Sequence, residues 1–259
     1  MTKRMMMLLA LIAFGPGSAA WSDTPFDGTW RLNTAKSNLA GDTMSFADAG
    51  GGMLKYTDSA QSYTFKPDGG AFTTPFGIER TFRKTSDTTF ITSNRKNGLL
   101  LNTSWWKLSL DGSTLVIESK GTKPNGEAFD NVTTYTRTSP GKGLLGGWES
   151  TSVKLSSPNA LTFETQGADV TLTISAIKAT AHAKWDGKDY PANGPTLADG
   201  ITLALTRMGH NSFKLVQKFK DKPIAIIHYH VAADGKTMDA KGTDGQGKEP
   251  FTQTWEKQT

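Results

Sequence analysis

The sequence predicts an all-β protein: two tandem, small, antiparallel up-and-down β-barrels. Three observations point there. The first is a repeat. Gly28-Thr29-Trp30 returns as Gly146-Gly147-Trp148. A later block, Asp111-Gly112-Ser113-Thr114, Lys120-Gly121-Thr122 and Asn125-Gly126 through Phe129, returns in the same order. Its second copy is Asp234-Gly235-Lys236-Thr237, Lys241-Gly242-Thr243 and Gln246-Gly247 through Phe251. The copies lie about 120 residues apart, a domain-sized period rather than a solenoid one. The second observation is punctuation. Asp-Gly stands at 27–28, 68–69, 111–112, 186–187, 199–200, 234–235 and 244–245, and Asn-Gly at 97–98 and 125–126. These pairs tolerate the positive φ of tight hairpins. The third is alternation: past the leader the apolar residues recur with period two, not 3.6.

In chain order, residues 1–20 have the form of a secretory signal peptide. Lys3 and Arg4 precede an apolar run from Met5 to Phe14, a Gly-Pro-Gly break and Ser18-Ala19-Ala20. Ten apolar residues are too few for a membrane-spanning helix, so cleavage after Ala20 is expected rather than a retained anchor. The expected units are barrel 1 over 21–138, a linker over 139–145 and barrel 2 over 146–259. In the first half, 41–52 holds four glycines and reads as a loop. Strands are expected from Tyr63 onward, at 77–84, 88–95, 99–110, 113–120 and 128–137. Ser139-Pro140-Gly141-Lys142-Gly143 has the composition of a domain joint. In the second half, strands are expected at 148–154, 160–166, 168–175, 178–185, 200–207, 212–219, 223–232, 236–242 and 250–257. Ile201, Leu203 and Leu205 share one face, as do Ala179, Ala181, Ala183 and Trp185. One apolar face per strand suits a sheet that closes on itself.

The chain has 259 residues and no cysteine, so neither a disulfide nor a thiol-linked lipid is available. A chain of this size buries enough core to do without disulfides. Lys plus Arg number 29 against 24 Asp plus Glu, a net +5, and two of the cations belong to the leader. So small a surplus argues against nucleic acid as a partner. The densest basic cluster, Arg80, Arg83, Lys84, Arg95 and Lys96, reads as a solvated hairpin face ahead of an anion site.

Catalytic chemistry has little support. There is no Gly-x-Ser-x-Gly elbow and no glycine-rich phosphate loop before a helix. Asp186, Asp189 and Tyr190 cluster in what reads as a hairpin connection ended by Pro191. Histidines stand at 182, 210, 228 and 230. His228 and His230 share a strand face about 7 Å apart, which suits two metal ligands. Their face is opposite to Ile227, Tyr229 and Val231, so they are expected to point away from a lumen. No metal and no cofactor is expected.

The run Gly28-Thr29-Trp30-Arg31-Leu32-Asn33-Thr34-Ala35-Lys36-Ser37 resembles the opening of bacterial lipocalin-like domains. Asp186-Gly187-Lys188-Asp189-Tyr190-Pro191, Asp234-Gly235-Lys236-Thr237-Met238 and the closing Trp255-Glu256-Lys257 are similar to the same domains. The resemblance spans both halves. It implies a structural signature of Gly28 and Trp30, matched by Gly146 and Trp148, with Arg137 packing over Trp30 as a cation–π lid. The second half offers Lys257 where an arginine would stand. The resemblance also implies a cup for a small hydrophobic molecule.

A barrel of about eight strands either fills with side chains or holds one small ligand. Trp106, Leu108 and Leu110 form one apolar stripe, Phe213, Leu215 and Phe219 another, and Ile227, Tyr229 and Val231 a third. Each stripe suits a core. If a lumen is open, Trp106, Leu108, Trp185, Phe213 and Tyr229 are the candidate ligand-binding residues. Trp185 ends a wall otherwise made of alanines, which leaves volume. Fatty acids, isoprenoids or aromatic hydrophobes are the expected class. The preferred reading is a periplasmic or secreted carrier without catalysis. The alternatives are a two-domain lipocalin-like hydratase or cyclase acting on an apolar substrate, and an envelope interaction module with filled barrels.

Overall fold

A computed structural model describes residues 24–259; the leader and its cleavage site lie outside the described residues. The fold is all-β, as the alternation predicts, with two ten-stranded antiparallel, barrel-like sheets. No helix among the described residues is long and apolar enough to cross a membrane. The first half contributes β1 (Gly28–Asn38), β2 (Thr43–Asp48), β3 (Leu54–Asp58), β4 (Ser62–Phe65) and β5 (Asp68–Thr73). It continues with β6 (Glu79–Lys84), β7 (Thr89–Lys96), β8 (Leu99–Leu108), β9 (Thr114–Thr122) and β10 (Ala128–Arg137). The second half contributes β11 (Gly146–Lys154), β12 (Ala160–Gln166), β13 (Asp169–Ile174), β14 (Ala179–Lys184) and β15 (Asp186–Asn193). It ends with β16 (Ile201–Arg207), β17 (Ser212–Phe219), β18 (Lys222–Val231), β19 (Thr237–Asp244) and β20 (Phe251–Lys257). A 3₁₀ turn, Ser175–Ile177, joins β13 to β14.

The contiguous halves expected from the repeat are corrected by the strand order. β1 lies between β12 and β20 and closes the barrel of the second half. β11 lies between β10 and β2 in the sheet of the first half. The two halves have exchanged their first strands. The segment 139–145 is therefore a hairpin between neighbouring strands rather than a linker between domains. The chain passes from one sheet to the other at 39–42 and at 155–159. Ser150, almost fully buried, fixes the first crossing. Its Oγ accepts from the N–H groups of Gly41 at 2.9 Å and Asp42 at 3.0 Å, and its own N–H donates to Asp42 O at 2.9 Å.

The exchange is possible because the repeated chemistry makes either first strand fit either sheet. Gly28 and Gly146 share positive φ angles of 108° and 105°. Trp30 Nε1 donates to Phe26 O at 2.6 Å, and Trp148 Nε1 donates to Leu144 O at 2.9 Å. Both indoles are fully buried. The later block is equally matched. Gly121 pairs directly with Phe129, and Gly242 with Phe251. Each ring lies flat on its glycine, so a Cβ there would sit 2.8 Å and 2.1 Å from ring carbons.

The exchange also corrects the expected lid. Arg137 stacks over Trp148, with Cζ 4.1 Å from the ring centre, while Lys257 stands over Trp30 at 5.2 Å. Arg137 donates from Nε to Gly112 O at 2.7 Å, from Nη2 to Gly143 O at 2.6 Å, and from Nη1 to Leu145 O.

β3 and β5 fall where no strand was expected, and two further element expectations change. β2 lies inside the expected glycine loop, where Met44 and Phe46 bury one face between Gly41 and Gly50. β15 replaces the expected connection at 186–193. Its residues are mostly exposed and include Pro191, so it lacks the apolar alternation that announces a strand. Each sheet has its own core. The closed barrel is packed at one end by Phe26, Trp30, Phe163 and Phe213. The ten-stranded sheet of the first half has no ladder between β4 and β5. Side chains bridge that gap instead: Phe65 stacks on Phe72 at 5.1 Å and Tyr63 lies 5.7 Å from Phe72.

Candidate ligand-binding site

The closed barrel is solid at one end and hollow at the other. Phe213 is the divider. Phe26 and Trp185 pack on it edge-on or tilted at 4.9 and 5.2 Å, and Tyr229 stacks face to face at 4.6 Å. Beyond Tyr229 lies a cavity of about 220 Å³, walled by Leu161, Leu172, Ala179, Ala181, Leu215 and Trp255 among others. The volume exists because β14 presents Ala179 and Ala181 where larger side chains would fill the lumen. No charged residue lines it among the described residues.

Polar groups interrupt the apolar wall, Asn159 and Thr180 among them. Gln217 and Gln253 reach it from β17 and β20. Tyr229 is held as a neutral phenol, since burial pushes its ionisation far above the ordinary range. The indole Nε1 of Trp255, on a side chain only 5 % exposed, has no hydrogen-bond partner among the described residues. A buried N–H left unpaired costs roughly 1–3 kcal/mol.

Of the residues expected to line a lumen, only Tyr229 does so. Trp185 is in the closed end, 5.4 Å from Phe26, and its wall position is corrected. Phe213 forms the partition. Trp106 and Leu108 lie in the filled core of the other sheet, where Trp106 Nε1 donates to Thr92 Oγ1 at 3.2 Å. Leu110 has left its stripe: it falls in the turn after β8 and is fully exposed. Phe219 pairs with Ile201 but does not line the cavity. At the end of β17 its ring meets Phe76 of the first half, at 4.5 Å.

Neither a protein-family model nor a curated protein matches this chain. The site must therefore be read from its own geometry.

Outside the lumen, His228 and His230 are exposed while Tyr229 between them is buried, so the pair faces away from the cavity. Asp239 and Lys241 share that outer patch. No group of three or more metal-ligating side chains with suitable placing occurs among the described residues. Asp186 and Tyr190 are hydrogen-bonded at 3.1 Å, and Asp189 pairs with Lys218 at 2.8 Å, all in an exposed hairpin.

The strand-exchange seam forms a wide, open crevice lined by Asp58, Glu149, Asp244, Lys248 and Glu249 among others. Glu249 accepts from the Thr43 N–H at 2.9 Å and from its hydroxyl. Desolvation in the seam, followed by the like charges of Glu249 and Asp58, raises Asp42 above the usual carboxylate range, although its side chain still reaches solvent.

The residues that shape the cavity were in plain view in the sequence. Gln217 follows Phe213 and Leu215 at period two, and Gln253 sits between Phe251 and Trp255 at the same period. Polar identity hid both.

Proposed function

We propose that the closed barrel holds a compact, neutral, mainly apolar molecule, and that the protein is an exported carrier or sequestering protein on a lipocalin-like plan. The observation that carries this reading is the cavity beside Ala179 and Ala181, with a mainly apolar wall and no charged side chain among the described residues that line it. The periplasm or the medium is the proposed address, resting on the form of residues 1–20.

The cavity's size narrows the expected ligand class. An apolar cavity of about 150 Å³ accommodates benzene. Scaling from that, about 220 Å³ takes on the order of nine non-hydrogen atoms. That fits a single ring or a short branched chain, and not an extended fatty acid.

Native mass spectrometry of the protein purified from its own host, with and without Ala181→Phe, tests the reading. A co-purifying neutral molecule of this size is expected in the parent and lost in the variant, with cooperative melting retained. A ligand that survives Ala181→Phe in a folded protein would place binding elsewhere.

A further inference from the structure

The basic cluster of β6 and β7 is not one solvated face. Arg83, Lys84 and Arg95 are exposed, but Arg80 and Lys96 turn to the concave side. There Phe72, Arg80 and Asn94 stand side by side on three neighbouring strands. Arg80 donates from Nε to Asn94 Oδ1 at 2.6 Å and from Nη1 to Tyr63 Oη at 2.5 Å, across the unpaired gap between β4 and β5.

The chain of bonds continues in one direction. Asn94 Nδ2 donates to Asn102 Oδ1 at 2.9 Å, Asn102 Nδ2 to Ser104 Oγ at 2.8 Å, and Ser104 meets Ser119 at 2.7 Å. Such a network orients every amide and fixes the guanidinium plane. Arg80 Nη2 is left without a protein partner among the described residues. Lys96 is next along the inward face, beneath the 74–78 turn, and only 7 % exposed. It forms no side-chain hydrogen bond or ion pair with any described residue, and neither it nor Arg80 has a carboxylate within 4 Å. Asp58, whose charge acts with that of Arg80 on Tyr63, is occupied by Tyr56 Oη at 2.8 Å and by the N–H groups of Ala60 and Gln61.

A guanidinium oriented by two hydrogen bonds, with a lysine next along the same face and no described carboxylate on either, suits an anion. We infer that the concave face of the first-half sheet binds a small organic carboxylate, its head on Arg80 and Lys96 and its apolar body toward Phe72 and Tyr63. Cross-strand neighbours and diagonals on one face lie about 5–8 Å apart, close enough for one ligand to touch both cations. A planar guanidinium matches a carboxylate in-plane. The aromatic neighbours distinguish an organic acid from inorganic phosphate, which has no apolar part to place on them. The site is independent of the closed-barrel cavity.

Calorimetric titration of the full chain at pH 7 tests this, with benzoate, its neutral isostere benzamide, and inorganic phosphate. Benzoate is expected to bind and benzamide not. Arg80→Met and Lys96→Met should each weaken benzoate at least tenfold, while Arg83→Met, on the outer face, and Ala181→Phe, in the other barrel, should not. The Arg80 Nε–H resonance of the parent should move on adding benzoate, a readout that stands even if a variant fails to fold. Benzoate binding unchanged in folded Arg80→Met, an unmoved Arg80 resonance at saturation, or phosphate binding in place of benzoate would overturn the inference.

Discussion

Trp30 and Trp148 are the residues on which each sheet closes. Each is fully buried and bonded to the carbonyl four residues earlier. Replacing either by alanine should cost about 3–5 kcal/mol, the range for emptying a large aromatic site, measured by urea denaturation. Their lids should differ. Arg137 makes three hydrogen bonds to carbonyls besides its stacking, whereas Lys257 only stacks. Arg137→Met should therefore cost about 2–4 kcal/mol and Lys257→Met no more than about 1 kcal/mol. Equal losses would show that the carbonyl contacts contribute nothing. Asp42 gives a pH test. Its folded-state value lies above its unfolded one, so the ionised form is penalised in the folded state. That penalty is absent below the unfolded value and complete above the folded one. Asp42→Asn should raise Tm at pH 7 and leave it unchanged near pH 3; the reverse order would reject burial and repulsion at the seam.

At the scale of elements, the first strands are decisive. Alternation located nearly every strand after Tyr63, because half-buried strands must alternate. It missed β15, whose exposed residues and Pro191 carry no such pattern. It also missed β2, β3 and β5, because the glycines beside or within them looked like loops. No local pattern could reveal the exchange. β1 forms ladders with β12 and β20 that β2 and β10 could form equally well, since the repeat makes the Gly-x-Trp strands alike. A fragment of residues 144–259 supplies β11 but lacks β1, so it cannot close its barrel by the contacts seen here. We expect it to be largely unfolded by circular dichroism and to fold on adding a peptide covering residues 24–42. A fragment that folds cooperatively alone would mean that β11 turns back into its own half.

At the scale of the molecule, the exchange ties the two cores together. Further contacts join the sheets: Lys123 Nζ donates to Ser157 O at 2.8 Å and to its Oγ at 2.5 Å at the second crossing, and Phe76 meets Phe219 at 4.5 Å. Neither sheet is complete without a strand of the other half, so unfolding should be a single transition. Tryptophan fluorescence and far-ultraviolet circular dichroism should give coincident curves in urea. Two separated transitions would show that the cores melt independently despite the shared strands.

The sequence by itself determined the all-β class, the duplicated architecture, the equivalence of Trp30 with Trp148 and the alanine face of β14. All are local or periodic properties, written as residue spacing. Tertiary structure alone decided which half owns each first strand. It also decided which end of the closed barrel is hollow, and that Arg80 and Lys96 turn inward while Arg83 and Arg95 face water. These depend on what lies across from each residue, and contacts between strands distant in sequence leave no mark on the spacing along one strand.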